Sequence, residues 1–321
     1  MADADKDIRR AVVLRQYQSP AELIDFLSNI YGEHRFDNLV EVRFRGGVCC
    51  CIVQPDLRYI REDYFSSGEY FLINLYRKVL NGKSFVVIDE IDISLDASAQ
   101  VRLAHQLRRL CAQHRVTVVF TSHSLALMQT LEPGELYYLE RTEDGALLAP
   151  MSFNSVKSLM FGFKGWDRYI LTEDEELKQF LEYVISHYCP PAFFSYRIIK
   201  VAGGPQVTDL MRRNRQEEFL GPEEHVISVL DGDQARADLP RGAYCLPLLS
   251  VEKALWNEYH QPGFEHMFQG GEILDPKPLY KEFVRSRRLS PEEIFKLLCD
   301  RNDEAIAQFS HIVTALLCRP N

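Results

Sequence analysis

The chain has no apolar run approaching the roughly 20 residues needed to cross a membrane. Its first residues, Met1-Ala2-Asp3-Ala4-Asp5-Lys6-Asp7, are acidic and lack an apolar core, so they do not read as a secretory leader. No internal repeat or low-complexity tract is visible. The 8 cysteines have no regular spacing, which argues against a disulfide framework and for a reducing, cytoplasmic setting. Positive charge is short as well: 37 Lys and Arg stand against 46 Asp and Glu, a net charge of −9. Such a chain does not coat DNA non-specifically, so any nucleic-acid path has to come from local basic clusters. Arg108-Arg109, Arg212-Arg213-Arg215 and Arg285-Arg287-Arg288 are the candidates, and each also reads as a solvated helix face. No Ser-His-Asp or Cys-His order stands out; His187-Tyr188-Cys189-Pro190-Pro191 reads as a helix ending in a turn.

What is present is ordinary globular material, 46% hydrophobic and 26% charged over 321 residues, enough for about two domains. Residues 8–32 read as helical, with an apolar stripe of Leu23, Ile24, Phe26, Leu27 and Ile30. Residues 40–44 and 48–53 read as a hairpin turned by Gly46-Gly47. The adjacent Cys49, Cys50 and Cys51 alternate across the strand, so they cannot converge on one metal and read as small fillers. Helices are expected over 69–80 and 97–114. The apolar, β-branched segments 85–88 and 116–121 predict strands buried on both faces. Residues 135–140 and 146–150 suggest a hairpin across Asp144-Gly145, and 152–167, without periodicity, a connector. A second pattern follows: strand 168–171, helix 175–187, strand 196–201, helix 207–215, strand 225–230 and strand 243–246. From Ser290 the tail is mostly helical, opened by Ser290-Pro291-Glu292-Glu293 with capping-box spacing. Strands alternating with helices predict an α/β fold with parallel sheets.

Two of these strands end in acids. Val86-Val87-Ile88 runs into Asp89-Glu90, where the aspartate would hold Mg²⁺ through water and the glutamate would polarise an attacking water. His123 follows the next strand, at a position suited to a γ-phosphate. Ser66-Ser67-Gly68-Glu69 opens a predicted helix, whose N-terminal amides and serine hydroxyl suit a phosphate. In this order, residues 60–130 resemble the ABC-type ATPase heads of the OLD, Rad50 and SMC group. Ser66 to Glu69 resembles the signature motif, Val86 to Glu90 Walker B, Ser94-Leu95-Asp96 the D-loop and His123 the switch histidine. The bland alternative is a capped strand end. No Gly-x-x-x-x-Gly-Lys-Ser/Thr occurs; Gly82-Lys83-Ser84 lacks the first glycine, since Arg77 stands there, and runs straight into the strand. Three arrangements stay open: a C-terminal piece of a longer protein, a P-loop on another subunit, or a relic lobe kept for dimerisation. In dimers of this class the signature reaches the partner's nucleotide. Ser67 and Gly68 would then complete a partner's site, while Asp89 and Glu90 would lack a P-loop in cis.

The second acidic set is Glu173, after a strand and before a helix, and Asp231-Gly232-Asp233, after another strand. Parallel strands bring such residues to one sheet edge. Crowded carboxylates repel unless a divalent cation neutralises them, and an all-oxygen set favours Mg²⁺ or Mn²⁺. Residues 168–256 resemble the Toprim fold of topoisomerases, primases and OLD-family nucleases. The resemblance makes Glu173 a metal ligand or general base and Asp231 and Asp233 the metal pair. Glu252 matches the additional carboxylate able to hold a second metal, and Lys253 a group stabilising transition-state charge; both also read as a helix start. Asp174 departs from the family's usual glycine and leaves the metal count open.

The resemblance therefore implies an α/β chain in four parts: an ABC-type ATPase lobe lacking Walker A (1–151), a connector (152–167), a Toprim-like nuclease domain (168–256) and a helical extension (257–321). It implies a metal-dependent endonuclease cutting nucleic acid, DNA before RNA, gated by the ATPase lobe and acting in anti-phage defence. Mg²⁺ or Mn²⁺ would be the cofactor, and ATP would bind only with a P-loop supplied elsewhere. The expected partners are nucleic acid and a homo-dimer, larger assembly or P-loop subunit, with no membrane. An RNA- or tRNA-cutting effector and a non-catalytic partner of a P-loop subunit are the alternatives. A topoisomerase or primase ranks last, for want of a tyrosine-bearing strand-passage domain or zinc ribbon.

Overall fold

The computed structural model describes residues 2–318 apart from 33, 82–83, 143–144, 237, 265 and 267–274. It divides into two compact units, Met1–Glu132 and Pro133–Asn321.

In the first unit, two helices occupy the stretch expected as one: α1 (Ala2–Val13) and α2 (Ala21–Tyr31). Arg15 adopts a left-handed φ of 54° and Pro20 precedes α2. Proline lacks the N–H a continuous helix needs and pushes the residue before it out of the helical region, so the helix cannot run through. α2 buries Leu23, Phe26, Leu27 and Ile30, and Gly32 closes it in the left-handed conformation. The expected hairpin is β1 (Leu39–Phe44) and β2 (Gly47–Val53), joined by β3 (Tyr59–Arg61) in an antiparallel sheet. Cys49 and Cys51 share the core of Ile8 and Val12, whereas Cys50 faces the core of α2, as alternation requires.

There follow α3 (Ser67–Leu80), β4 (Phe85–Ile88), α4 (Ala97–His114), β5 (Thr117–Phe120) and α5 (Leu125–Gln129). β4 and β5 pair in parallel. The expectation of strands buried on both faces is corrected. Val86 and Ile88 join the core of α2, α3 and α4, but Phe85 and Val87 are 55% and 67% exposed and Val119 48%. Within this unit the helices cover one face of a two-stranded sheet, and among the described residues of the unit no element packs on the other.

The second unit opens with the hairpin β6 (Tyr137–Thr142) and β7 (Gly145–Pro150), Thr142 pairing Gly145; Asp144 of the expected turn lies outside the described residues. Residues 152–167 hold a helix, α6 (Phe153–Phe161), where only a connector was expected. Ser152 caps it and Gly162, at φ 70°, ends it; a helix this short carries too few turns for its periodicity to show. β8 (Arg168–Thr172), α7 (Glu175–Tyr188), β9 (Tyr196–Lys200), α8 (Gly204–Glu217), β10 (Val226–Leu230) and β11 (Ala243–Cys245) form a parallel sheet in the order β11-β10-β8-β9, as the alternation predicts. Leu177, Phe180 and Val184 of α7 pack with Ile170, while Val207 and Met211 of α8 pack with Leu171, so the sheet is covered on both faces. β10 is buried at every position. α9 (Val251–Tyr259), α10 (Pro276–Arg285), α11 (Pro291–Arg301) and α12 (Asp303–Leu317) complete the unit, with the Ser290–Glu293 capping box formed.

β8 continues to β9 on one side and β10 to β11 on the other. The crevice between the C-terminal ends of β8 and β10 is therefore a topological switch point, the usual place for a ligand in such sheets. Several arginines of the candidate clusters are paired: Arg212 with Asp209, Arg213 with Glu217, Arg215 with Glu223 and Arg285 with Glu282, while Arg287 and Arg288 lie beyond the end of α10. Among the described residues, no helix is long and apolar enough to cross a membrane.

Candidate functional site

Glu173 follows β8 and Asp231 follows β10, and the two meet. The Asp231 N–H donates to Glu173 Oε1 at 3.0 Å. Burial nevertheless pushes the Glu173 carboxyl above its ordinary value, with the charges of Asp174 and Asp233 adding to the rise. Asp231 is pushed up to about 8, by burial first and then by Asp174, Glu173, Glu252 and Asp233. Gly232 and Asp233 donate their N–H groups to Leu248 O (2.9 Å) and Leu249 O (3.1 Å). A Cβ on Gly232 would lie 2.2 Å from Leu248 O and 2.8 Å from Leu246 O, so only glycine lets the chain pass here and carry an acid on either side.

The Asp233 carboxylate pairs with Lys253 Nζ, which holds the Lys253 ammonium above its ordinary value. Lys253 and Glu252 do begin a helix, α9, and still face the acids. Ser250 caps that helix, and its hydroxyl donates to Glu252 Oε2 at 3.1 Å. Glu252 is 5% exposed. Its oxygens converge with those of Asp174 and Glu176 to within 4.8 Å, rather than with Glu173, Asp231 and Asp233. Among the described residues Asp174, Glu176 and Glu252 are the group whose oxygens converge; the carboxylates of Glu173, Asp231 and Asp233, expected to share a metal, do not form such a group, and Glu176 was missed. The signal was there: Glu173-Asp174-Glu175-Glu176 is a run of four acids, and the first turn of the helix that starts at Glu175 holds Glu176 next to the strand end. Asp174 caps α7, accepting from the Leu177 N–H at 2.9 Å. Glu175 turns away to Lys178 (3.2 Å) and Lys200 (3.3 Å). The donor set is all oxygen, with neither histidine nor cysteine among these acids, and fits a hard divalent cation such as Mg²⁺ or Mn²⁺.

In the first unit, Asp89 and Glu90 leave β4 exposed to solvent, and Thr121 holds both. Its hydroxyl donates to Asp89 Oδ1 at 2.5 Å and accepts from the Glu90 N–H at 2.8 Å. Glu90 has a left-handed φ of 49°, uncommon for a residue with a side chain. Thr121 was not foreseen, since only register across two parallel strands brings it to Asp89. His123 follows, exposed. Gln100 of α4 donates to Leu95 O (2.8 Å) and Asp92 O (3.2 Å) and accepts from Ser124, tying the segment after Asp89 to the segment of His123. Ser66 caps α3 in a capping box with Glu69, and buried Glu69 pairs with Arg35. Ser67 is exposed. Gly68 lies against Ser94, where a Cβ would come within 2.5 Å of Ser94 O. The start of α3 and the segment 94–96 are therefore adjacent.

Residues 69–129, the stretch that holds Asp89, Glu90, Thr121 and His123, match the family described as AAA domain, putative AbiEii toxin, Type IV TA system. The chain is 28% identical over 113 residues to the oligopeptide transport ATP-binding protein OppF of Mycoplasma genitalium, an alignment covering 34% of this chain and 13% of that protein. It is 30% identical over 128 residues to the putative oligopeptide transport ATP-binding protein YkfD of Bacillus subtilis, covering 38% and 37%. The chain thus spans well under half the length of these curated relatives. Among solved structures it is similar to the SMC head domain from Thermotoga maritima, at 19% identity, a TM-score of 0.29 and coverage of 40% of this chain and 46% of that one. A second, from work titled structural biochemistry of ATP-driven dimerization and DNA stimulated activation of SMC ATPases, gives 10% identity, a TM-score of 0.33 and coverage of 50% and 95%. The first unit carries an ATPase-like domain of the ABC type.

Proposed function

We propose that the chain is a metal-dependent nuclease of the OLD type, which cuts nucleic acid, DNA in the first place, at the acidic edge of the β8–β10 sheet under control of the ATPase-like unit. The observation that carries this reading is the convergence of the Asp174, Glu176 and Glu252 carboxylates at the switch point, beside the Asp231–Glu173 contact and the Asp233–Lys253 pair. Burial first, and then the neighbouring carboxylates, raise the proton affinity of Asp231 and Glu173, and a divalent cation would relieve that cost. Asp231 and Asp233, with Glu173, would hold one Mg²⁺ or Mn²⁺, and Glu252, Asp174 and Glu176 would hold a second. When bound, such a metal activates water and balances charge on the phosphodiester. Glu173 takes the proton of the attacking water in this reading. Lys253 leaves Asp233 to meet the phosphate as negative charge builds there.

The ATPase-like unit works, in the same reading, with a P-loop from another subunit or another part of a longer chain, and ATP is bound only then. The apolar face left open by Phe85, Val87 and Val119 is a surface such a lobe would cover. Ser66, Ser67 and Gly68 would approach the nucleotide from one side and Asp89, Glu90 and His123 from the other, in a homo-dimer or larger assembly. A cytoplasmic place in anti-phage defence is inferred from the OLD resemblance. The test is cutting of supercoiled plasmid by the purified chain with Mg²⁺ or Mn²⁺. Wild type nicks, and Glu173→Ala and Asp231→Ala lose at least a hundredfold in rate. Equal cutting by the variants overturns the assignment, and cutting of RNA alone moves the substrate to that class.

A further inference from the structure

α6 and the loop after it present an aromatic surface that the proposed chemistry does not use. Phe161, Phe163 and Trp166 are 38%, 57% and 38% exposed. The Phe161 and Phe163 rings are parallel to within 7°, with centroids 6.3 Å apart. Arg197 of β9 lies over the Trp166 ring at 5.9 Å, and Lys157 over Phe153 at 5.4 Å. The loop is firmly based. Asp167 accepts from Ser152 Oγ (2.7 Å), Asn154 Nδ2 (2.7 Å), the Ser195 N–H (2.9 Å) and Ser195 Oγ (2.6 Å). A Cβ on Gly165 would collide with Asn154 Oδ1 at 2.2 Å, so the loop lies directly against α6.

Charge sets this surface apart from the rest of a chain of net −9. Within 152–167 the one acid is Asp167, whose carboxylate is occupied by those four donors, while Lys157 and Lys164 are cations, joined by Arg197. Flat exposed rings among cations recognise bases beside phosphates. Bases offer their faces only when they are not stacked in a duplex. We infer that Phe161, Phe163 and Trp166, with Lys157, Lys164 and Arg197, form a stacking platform for single-stranded nucleic acid. The inference rests on the proposed nucleic-acid substrate and narrows it to unpaired or locally opened strands. β9 is the edge strand of the sheet beside β8, with Arg197 near its start and Lys200, paired with Glu175, at its end opposite Thr172. Three residues apart, Arg197 and Lys200 lie on opposite faces, so the open edge of β9, rather than one face, is the path from the platform toward the acid that follows β8.

Trp166 is its own probe. The full chain, in chelator so that nothing is cut, is titrated with an oligothymidylate of about 12 nucleotides and with a duplex of that length while tryptophan emission is read. The single strand is expected to quench emission, and Trp166→Phe to remove the quench. Phe163→Ala should weaken binding about tenfold or more, measured by anisotropy of a labelled strand. Unchanged affinity in Phe163→Ala, or equal binding of duplex, overturns the platform. So does a concentration-dependent self-association that Phe163→Ala abolishes without any oligonucleotide binding, which makes the surface a protein contact. Quenching without metal-dependent cutting leaves the platform standing and removes the nuclease; cutting with no effect of Phe163→Ala on binding does the reverse.

Discussion

The Asp231 N–H reaches Glu173 Oε1 across 3.0 Å, joining the ends of two strands whose residues stand 58 positions apart. The bond is a consequence of topology. β9 lies outside β8, so the chain must cross over to lay β10 on the other side, and the two acid-bearing ends become neighbours. Once there, the carboxylates share a small, partly buried volume with Asp174, Asp233 and Glu252, and Asp231 responds most strongly.

That crowding should be measurable as stored instability. In chelator near neutral pH, Asp231→Asn is expected to be more stable than wild type by about 1–3 kcal/mol, because it removes one member of a repelling group. Millimolar Mg²⁺ should raise the melting temperature of wild type by more than that of the variant, which keeps only the Asp174, Glu176 and Glu252 group. Calorimetry with and without the cation checks both. A variant less stable than wild type in chelator contradicts the account of the crevice.

Gly232 sits where a Cβ would meet Leu248 O at 2.2 Å. Gly232→Ala must displace backbone, and a cost of about 2–3 kcal/mol is expected from denaturant unfolding. Cutting should fall with it even at temperatures where the variant remains folded, because Asp231 and Asp233 shift together.

Thr121 bridges Asp89 and the Glu90 N–H through one hydroxyl. Thr121→Val keeps the shape and removes the bridge, and is expected to cost about 1–2 kcal/mol; Thr121→Ser should stay within about 0.5 kcal/mol of wild type. With a P-loop partner supplied, the valine variant should also lose ATP turnover while the serine variant retains it. Equal stability of all three would mean that the hydroxyl does not hold the strand ends.

Burial, with the Arg168 charge second, keeps His225 below its ordinary 6.5, against the weaker opposing pull of Glu224 and Asp167. The unfolded chain therefore binds this proton at a higher pH than the folded one. Stability should decline as pH falls from about 6.5 toward the folded value and level off below it. His225→Gln is expected to flatten that part of the stability profile. An unchanged slope would show that other groups carry it.

Much of this architecture was legible in the sequence, for identifiable reasons. The parallel strands 168–172, 196–200 and 226–230 are apolar, and the helices between them are regular, so order and acid positions followed. Local chemistry that depends on register did not. Thr121 meets Asp89 only because β4 and β5 pair with Ile88 opposite Phe120. Burial of β4 was overestimated because β-branched composition describes a strand, and whether a second layer covers it is decided by other segments. Helix α6 was missed because its nine residues show too little periodicity, although Ser152 before it and Gly162 after it are ordinary start and stop residues. Residues 8–32 were merged although the apolar stripe, residues 23–30, lies wholly after Pro20, which separates α2 from α1. Glu252 was read as an additional carboxylate, but its partners Asp174 and Glu176 were not named with it, because only the first turn of α7 brings Glu176 there.

The central claim is that the β8–β10 edge holds a divalent cation, and it can be tested without choosing a substrate. Titrating the chain into dilute Mn²⁺ and reading the free ion by electron paramagnetic resonance counts bound metal directly. The account predicts that wild type depletes the free signal, that Mg²⁺ competes it back, and that Glu173→Gln and Asp231→Asn each remove the strongest binding. No depletion by wild type, or the same depletion by both variants, would contradict it.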